Sequence, residues 1–366
     1  MLEIALSFFL NTNLLFFLGL TGLLFFLLIF FSDKIHIFFN IFSYSAIQKI
    51  HNDNLVPREG GLCIFIGICF FWYVNYDILN PEFNLIASYI IFFSVPILIA
   101  GVLEDLYQNI SPLIRLISIF ISAILFLSFQ KYGYPIIDLP LLMLINDYDF
   151  LLFAIFAISI AALCNGMNII DGTNGMAATN AIASLASISF LGLVSGDYPI
   201  LFLSIFFASF LFVFLMFNYP FGKIFLGDFG AYFYGWVISI LIILLFSRNP
   251  NLPSWNAILI IFYPIFEVIF SYLRKIYTGT NPMEPDGKHF HLKLYFILNK
   301  SIKRAKVSNC LVMPFMTFFW LFPTMSIPWI YTHVSLILFF ILILIIAYTM
   351  VYIQLPLIEK SDKKNI

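Results

Sequence analysis

Four acidic residues, Glu104, Asp105, Asp171 and Asp228, stand at the ends of long apolar runs rather than in ordinary solvated segments. Carboxylates are costly near membrane depth, and where they persist they usually mark a substrate or ion path. With the amide oxygens of Asn168 and Asn174 they form a hard-oxygen set suited to Mg²⁺ or Mn²⁺. Such ions commonly take one or two protein carboxylates and complete their shells with substrate phosphates. Arg58, Arg115, Lys288, His289 and His291 supply donors of the kind that bind phosphate, and Asn165 is a further substrate-binding candidate. Acids and cations converging with glycines are what phosphoryl transfer asks for: a metal bridging phosphates, cations neutralising the rest, and backbone room.

The densest of these segments is Asn165 to Gly175, NGMNIIDGTNG, between two apolar runs. So polar a stretch between membrane spans must be buried in protein or line a wet cavity. Asn165, Asn168, Asp171 and Asn174 recur every third residue, so a helix would spread them over roughly 180° of one side. Gly172 and Gly175 oppose a continuous helix and predict a turn where backbone approaches a ligand closely. A plain chain reversal needs only two or three polar residues. His289 and His291 are a weak zinc signal, since no cysteine lies nearby and the surroundings are cationic. Cys63, Cys69, Cys164 and Cys310 lack metal spacing and read as packing residues.

The elements that must position these groups are membrane helices. The chain is 62% hydrophobic and only 10% charged, with 47 phenylalanines, whereas soluble domains carry roughly a quarter charged residues. Long unbroken apolar runs exclude a β-barrel and predict an all-α, polytopic integral membrane protein. The reading is about eleven transmembrane helices, near 5–31, 60–75, 84–103, 112–130, 149–165, 175–194, 199–217, 229–246, 255–273, 307–326 and 331–353. The first run lacks a basic leader and a small-residue cleavage site, and reads as a retained span. With the N-terminus outside and the C-terminus cytoplasmic, sixteen of the eighteen Lys and Arg residues fall inside; only Lys131 and Arg248 fall outside. Residues 1–366 read as one transmembrane catalytic domain, with a basic cytoplasmic loop at 274–306 that carries both histidines. No soluble domain, internal repeat or nucleic-acid partner is expected.

On that topology the polar clusters PREGG (57–61), Glu104-Asp105 before Arg115, NGMNIIDGTNG, FLGDFG (225–230) and DGKHFH (286–291) all fall on the cytoplasmic side. In their order and spacing the chain resembles the polyprenyl-phosphate N-acetylhexosamine-1-phosphate transferases over nearly its whole length. The resemblance implies Mg²⁺-dependent transfer of a sugar-1-phosphate from a UDP-N-acetylhexosamine to a polyprenyl phosphate, with release of UMP. It further implies undecaprenyl phosphate as the lipid, a bacterial inner-membrane location with the site on the cytoplasmic face, and relatives among which homodimers occur. The match is closer to the branch that initiates O-antigen-type polysaccharides than to the peptidoglycan branch.

Carried across position by position, Asp105 matches the second member of the family's aspartate pair, and Glu104 replaces the first with one more methylene. Asn168 and Asp228 match positions that hold the metal in relatives. Asp171 matches an aspartate common in bacterial members, while Asn174 stands where many relatives have a second one. His289 and His291 match the first two histidines of a cytoplasmic motif whose third position is Leu292 here. Lys288 and Arg115 become diphosphate contacts. Glu267, in the ninth span, matches no motif and stays outside the expected site as a protonated or paired core residue. A phospho-N-acetylmuramoyl-pentapeptide transferase is the neighbouring alternative; Leu292 and Asn174 argue against it. A secondary transporter predicts polar residues deep within spans and repeat symmetry; here most charges lie at one face and no repeat is visible.

Overall fold

Some helix starts in this chain are set by prolines and short polar side chains. The Asn80 side chain accepts the Glu82 N–H at 2.8 Å beside Pro81, and Ser111 accepts the Ile114 N–H at 3.3 Å beside Pro112. Each satisfies an amide that a first turn leaves unpaired, at a position where proline has no bond to lose. Two stops use left-handed residues, Gln108 at φ 49° and Lys303 at φ 56°.

The computed structural model describes residues 12–38, 56–138, 143–281 and 287–356, and every regular element among them is helical. In chain order these are α1 (Leu14–Phe38), α2 (Gly60–Asn75), α3 (Pro81–Phe93), α4 (Val95–Tyr107), α5 (Pro112–Phe129), α6 (Asp149–Ile170), α7 (Met176–Val194), α8 (Tyr198–Asn218), α9 (Gly227–Arg248), α10 (Trp255–Ile260), α11 (Phe262–Tyr277), α12 (Phe290–Ile302), α13 (Ala305–Met316), α14 (Phe318–Ile330) and α15 (Val334–Gln354). The start of the expected span 5–31, Lys49, Lys360, Lys363, Lys364 and the segment Pro282–Asp286 lie outside the described residues.

The described parts of the eleven expected apolar stretches fall largely on helix, but not each is a single helix of spanning length. Among the described residues, eight helical segments are long and apolar enough to cross a bilayer, counting Ala305–Ile330 as one, and nine if α3 and α4 form a single span bent by 46°. Proline explains both interruptions. Pro96 cannot donate to Phe92 just past the bend, and Pro264 cannot donate to Ile260, so the stretch expected at 255–273 breaks at Ile261 into α10 and α11. Helix α2 has 16 residues, fewer than the ~20 that usually cross a bilayer.

Helix α9 is the axis of the bundle. Every residue from Gly227 to Phe246 is buried, as expected for a helix apolar on all sides, and it packs on α2, α4, α6 and α7. Its aromatic polar tips reach main-chain carbonyls: Trp236 Nε1 donates to Ile90 O at 3.0 Å and Tyr234 OH to Phe207 O at 3.1 Å. Its C-terminal end is held by Arg248, whose guanidinium lies 2.7 Å from Asp197 and 2.7 Å from Glu82 and covers the Tyr132 ring.

The N-terminal end of α9 is where the sequence clusters meet. Helix α2 has no side-chain cap. Its first amides, those of Gly60 and Gly61, donate to Phe225 O at 3.2 Å and Leu226 O at 2.8 Å, while Phe225 N returns a bond to Pro57 O at 2.9 Å. PREGG and FLGDFG are thus sewn together by main chain. The fit requires glycine, because a Cβ on Gly61 would fall on the Gly230 backbone. Gly61→Ala is therefore expected to cost about 1–3 kcal/mol, read as a lowered thermal midpoint in detergent; a midpoint equal to the parent's would contradict this close approach.

Candidate active site

Asp105 leaves the end of α4 and places its carboxylate on the first turn of α9, accepting the Asp228 N–H at 2.7 Å and the Phe229 N–H at 3.0 Å. An acid capping a helix start from another helix satisfies two otherwise unpaired donors and meets the positive end of the dipole. Gly227, at φ 80°, permits the turn: a Cβ there would strike Arg58 O and the Asp105 carboxylate. Asp105 is 5% exposed and turned inward, toward the protein.

Asp228, one residue into the same turn, is the outward-facing acid. Arg58 Nη2 bonds its Oδ1 at 3.0 Å while Arg58 Nε sits 3.5 Å from Asp105, and Arg115 Nη1 bonds the other oxygen of Asp228. Arg115 also lies 3.6 Å from Glu104, whose second oxygen accepts the Ile110 N–H at 2.8 Å. Burial works against the charge on Arg58, but Asp105, Asp228, Asp171 and Glu104 together hold its pKa above the usual value. Asp171, in the turn after α6, is pushed well above the carboxylate range by burial first and then by the Asp228 charge, with Arg58 opposing. One turn along α9 from Asp228, Tyr232 OH reaches Asn168 Oδ1 at 3.4 Å. Helix α6 runs to Ile170 before the turn begins, so Asn165 and Asn168 are helical and only residues 171–175 form the predicted turn.

The histidines approach from the other side of that turn. His291 is fully buried, its Nδ1 is 3.5 Å from Tyr263 OH, and its Nε2 has no partner. A Cβ on Gly172 would lie 2.6 Å from that Nε2, so the histidine segment abuts the glycine turn. Burial is the chief cause holding the His291 pKa down to about 3, and the ring is neutral. His289 lies with its ring parallel to His291, centroids 5.9 Å apart, and bonds Glu267 at 2.9 Å. Glu267 is the residue that sequence reasoning left out.

Arg58, Glu104, Asp105, Arg115, Asn168, Asp171, Asp228, His289 and His291 thus converge around the N-terminus of α9 and the 171–175 turn. Asn165 and Asn174 engage elsewhere, and Lys288 is held by its main chain. Asn165 Nδ2 returns to Ala161 O at 2.8 Å within its own helix. Asn174 is tied to Pro220 O and Asn309 and lines a cavity of about 220 Å³ with Phe221, Lys306 and Cys310. The Lys288 carbonyl accepts Tyr352 OH at 2.9 Å.

The donors present suit Mg²⁺. Asp228 and Asn168 present hard oxygens, and Tyr232, one turn along α9 from Asp228, bonds Asn168 Oδ1. No group of three or more His, Cys, Asp or Glu able to hold a metal occurs among the described residues. Arg115 Nε, Thr173 Oγ1 and His291 Nε2 are buried without partners around this site, the condition expected of groups that a ligand satisfies.

Residues 87–246 match glycosyl transferase family 4. The chain is 30% identical over 248 residues, 68% of its length and 67% of the relative's, to a probable undecaprenyl-phosphate N-acetylglucosaminyl 1-phosphate transferase of Bacillus subtilis. It is 26% identical to the undecaprenyl-phosphate alpha-N-acetylglucosaminyl 1-phosphate transferase of Thermotoga maritima, over 67% of this chain and 69% of the relative. To the Escherichia coli K12 protein of the same name it is 25% identical over 72% of each. The matched segment contains the acidic pair, the 165–175 turn and the start of α9, so the sequence likeness and the convergent site coincide, and the chain belongs to the polyprenyl-phosphate N-acetylhexosamine-1-phosphate transferases of glycosyl transferase family 4.

Proposed function

We propose that this chain transfers an N-acetylhexosamine-1-phosphate from a UDP-sugar to undecaprenyl phosphate at the cytoplasmic face of a bacterial inner membrane, releasing UMP and initiating a lipid-linked surface polysaccharide. The observation that carries the reading is Asp228, held by Arg58 and Arg115 at the start of α9 beside Asn168 and Asp171. A phosphate monoester has a second pKa near 6 and is largely deprotonated at neutral pH, so the lipid needs positioning more than it needs a base. Its oxygen attacks the sugar-bearing phosphorus of the UDP-sugar; a P–O bond forms, the diphosphate bridge breaks, and UMP leaves with the bonding pair.

Arg58 and Arg115 carry planar forks that match phosphate oxygens as well as they match carboxylate. Their transfer from Asp228 to the incoming diphosphate would free Asp228, with Asn168, to hold Mg²⁺. When bound, that ion supplies charge neutralisation across the diphosphate. Asp105 keeps the α9 turn in place, Glu104 orients Arg115, and neutral His291 presents Nε2 toward the glycine turn for the sugar nucleotide.

Purified protein in detergent is expected to release UMP only when undecaprenyl phosphate, Mg²⁺ and a UDP-N-acetylhexosamine are all present, and the best donor names the sugar. Asp228→Asn should lower kcat by at least about a hundredfold; undiminished turnover would remove Asp228 from the chemistry. His291→Ala should raise KM for the UDP-sugar by about tenfold, the worth of one good hydrogen bond, with a smaller change in kcat. For orientation, Lys131→Cys in a cysteine-free background is expected to react with an impermeant maleimide from outside intact cells, and Lys303→Cys only after permeabilisation; the reverse pattern would invert the topology.

A further inference from the structure

Helix α11 carries a polar stripe at four-residue spacing, Tyr263, Glu267, Ser271 and Lys275, all buried. Its centre is Glu267, 1% exposed, whose carboxylate receives three groups: His289 Nδ1 at 2.9 Å and the Phe290 N–H at 3.4 Å on one oxygen, and Tyr348 OH at 2.6 Å on the other. An ionised carboxylate only accepts, so the nitrogen facing it carries the proton. That places a proton on His289 Nδ1. The loop is tied down on both sides of this contact. Tyr352 OH holds the Lys288 carbonyl at 2.9 Å, and Lys293 Nζ donates to Tyr352 O and Leu355 O, each at 3.1 Å, at the C-terminal end of α15.

We propose that Glu267 and Tyr348 form a buried clamp that fixes the ring plane and the proton of His289, which makes α15 a positioning element of the site. A buried ion pair is a poor way to gain stability, since apolar residues of similar volume do as well or better. Its use here is orientation: the group held is the first histidine of a segment that abuts the Gly172 turn. The ring of His291 lies within 10° of the plane of His289, so the clamp sets two imidazoles together. Carboxylates that orient metal-bound histidines act in the same way on the far ring nitrogen. The effect on turnover rests on the transferase reading above; the clamp itself does not.

The test uses the full chain in nanodiscs. Histidine-selective ¹⁵N NMR resolves the five histidines, with His289 identified by its loss in His289→Asn. The parent is expected to show His289 protonated at Nδ1, and Glu267→Gln and Tyr348→Phe should both shift that resonance. In the UMP-release assay both variants should lose about 10–100-fold in kcat/KM for the UDP-sugar. In a His289→Asn background either change should cost little more, because the clamp acts through that ring. Tyr348→Phe keeps the test available if Glu267→Gln fails to fold. An unshifted His289 resonance in these variants, or losses that multiply with His289→Asn, would overturn the clamp. A parent with the expected resonance that releases no UMP would leave the clamp standing and remove the transferase reading.

Discussion

The Asp105 carboxylate receives the first amides of α9 and, from the side, the Arg58 guanidinium. Removing an ionised carboxylate from water costs several kcal/mol even after relaxation, and here two amide bonds, a helix dipole and a guanidinium work against that cost. The remaining contacts of the site follow from this one. With α9 enclosed by α2, α4, α6 and α7, its first turn has one place to sit. That place presents Asp228 to Arg58 and Arg115, and Tyr232 to Asn168. The main-chain bonds from Gly60 and Gly61 to Phe225 and Leu226 lock the same turn from the α2 side.

Such a cluster is balanced for exchange. Asp228 is the more exposed of the two acids on this turn, with 12% of its side chain accessible against 5% for Asp105. The inner carboxylate is committed to structure, and the outer one is neutralised by arginines that bind phosphate equally well. A ligand bringing both phosphate and a divalent cation can satisfy every partner that it separates. The unpartnered atoms of Arg115, Thr173 and His291 lie where such a ligand would come.

Much of this was legible in the chain. The positions where acids and glycines cluster between apolar runs are the positions that converge, because a polar group at membrane depth must find others. Local chemistry also predicted the turn after α6 from Gly172 and Gly175. What remained hidden was long-range. No sequence spacing shows that Asp105 caps a helix beginning more than a hundred residues later, so it read as one of four acids available for catalysis. Asn174, in phase with Asn168 and Asp171, follows the turn away from them and meets Asn309 and Pro220 instead. Glu267 looked like a stray carboxylate, yet polar residues four apart along α11 were the available sign that one face of this helix is not lipid-facing. Nine of the eleven expected spans lie on helices of spanning length among the described residues if the bent pair α3–α4 counts as one, and Pro96 and Pro264 bend or break apolar stretches that composition alone reads as continuous.

Asp228 is expected to bind a divalent cation together with the diphosphate of a UDP-sugar, and Mn²⁺ binding to the full chain by electron paramagnetic resonance, with and without UDP-N-acetylglucosamine, measures this directly. The nucleotide sugar should tighten Mn²⁺ binding to the parent, and Asp228→Asn should lose this tightening while its thermal midpoint stays near the parent's. Mn²⁺ binding that tightens with no UDP-sugar tried, while UMP release succeeds with another, would point to a different donor. Equal Mn²⁺ binding by parent and variant, unaffected by the UDP-sugar that serves as donor, would contradict the role of Asp228.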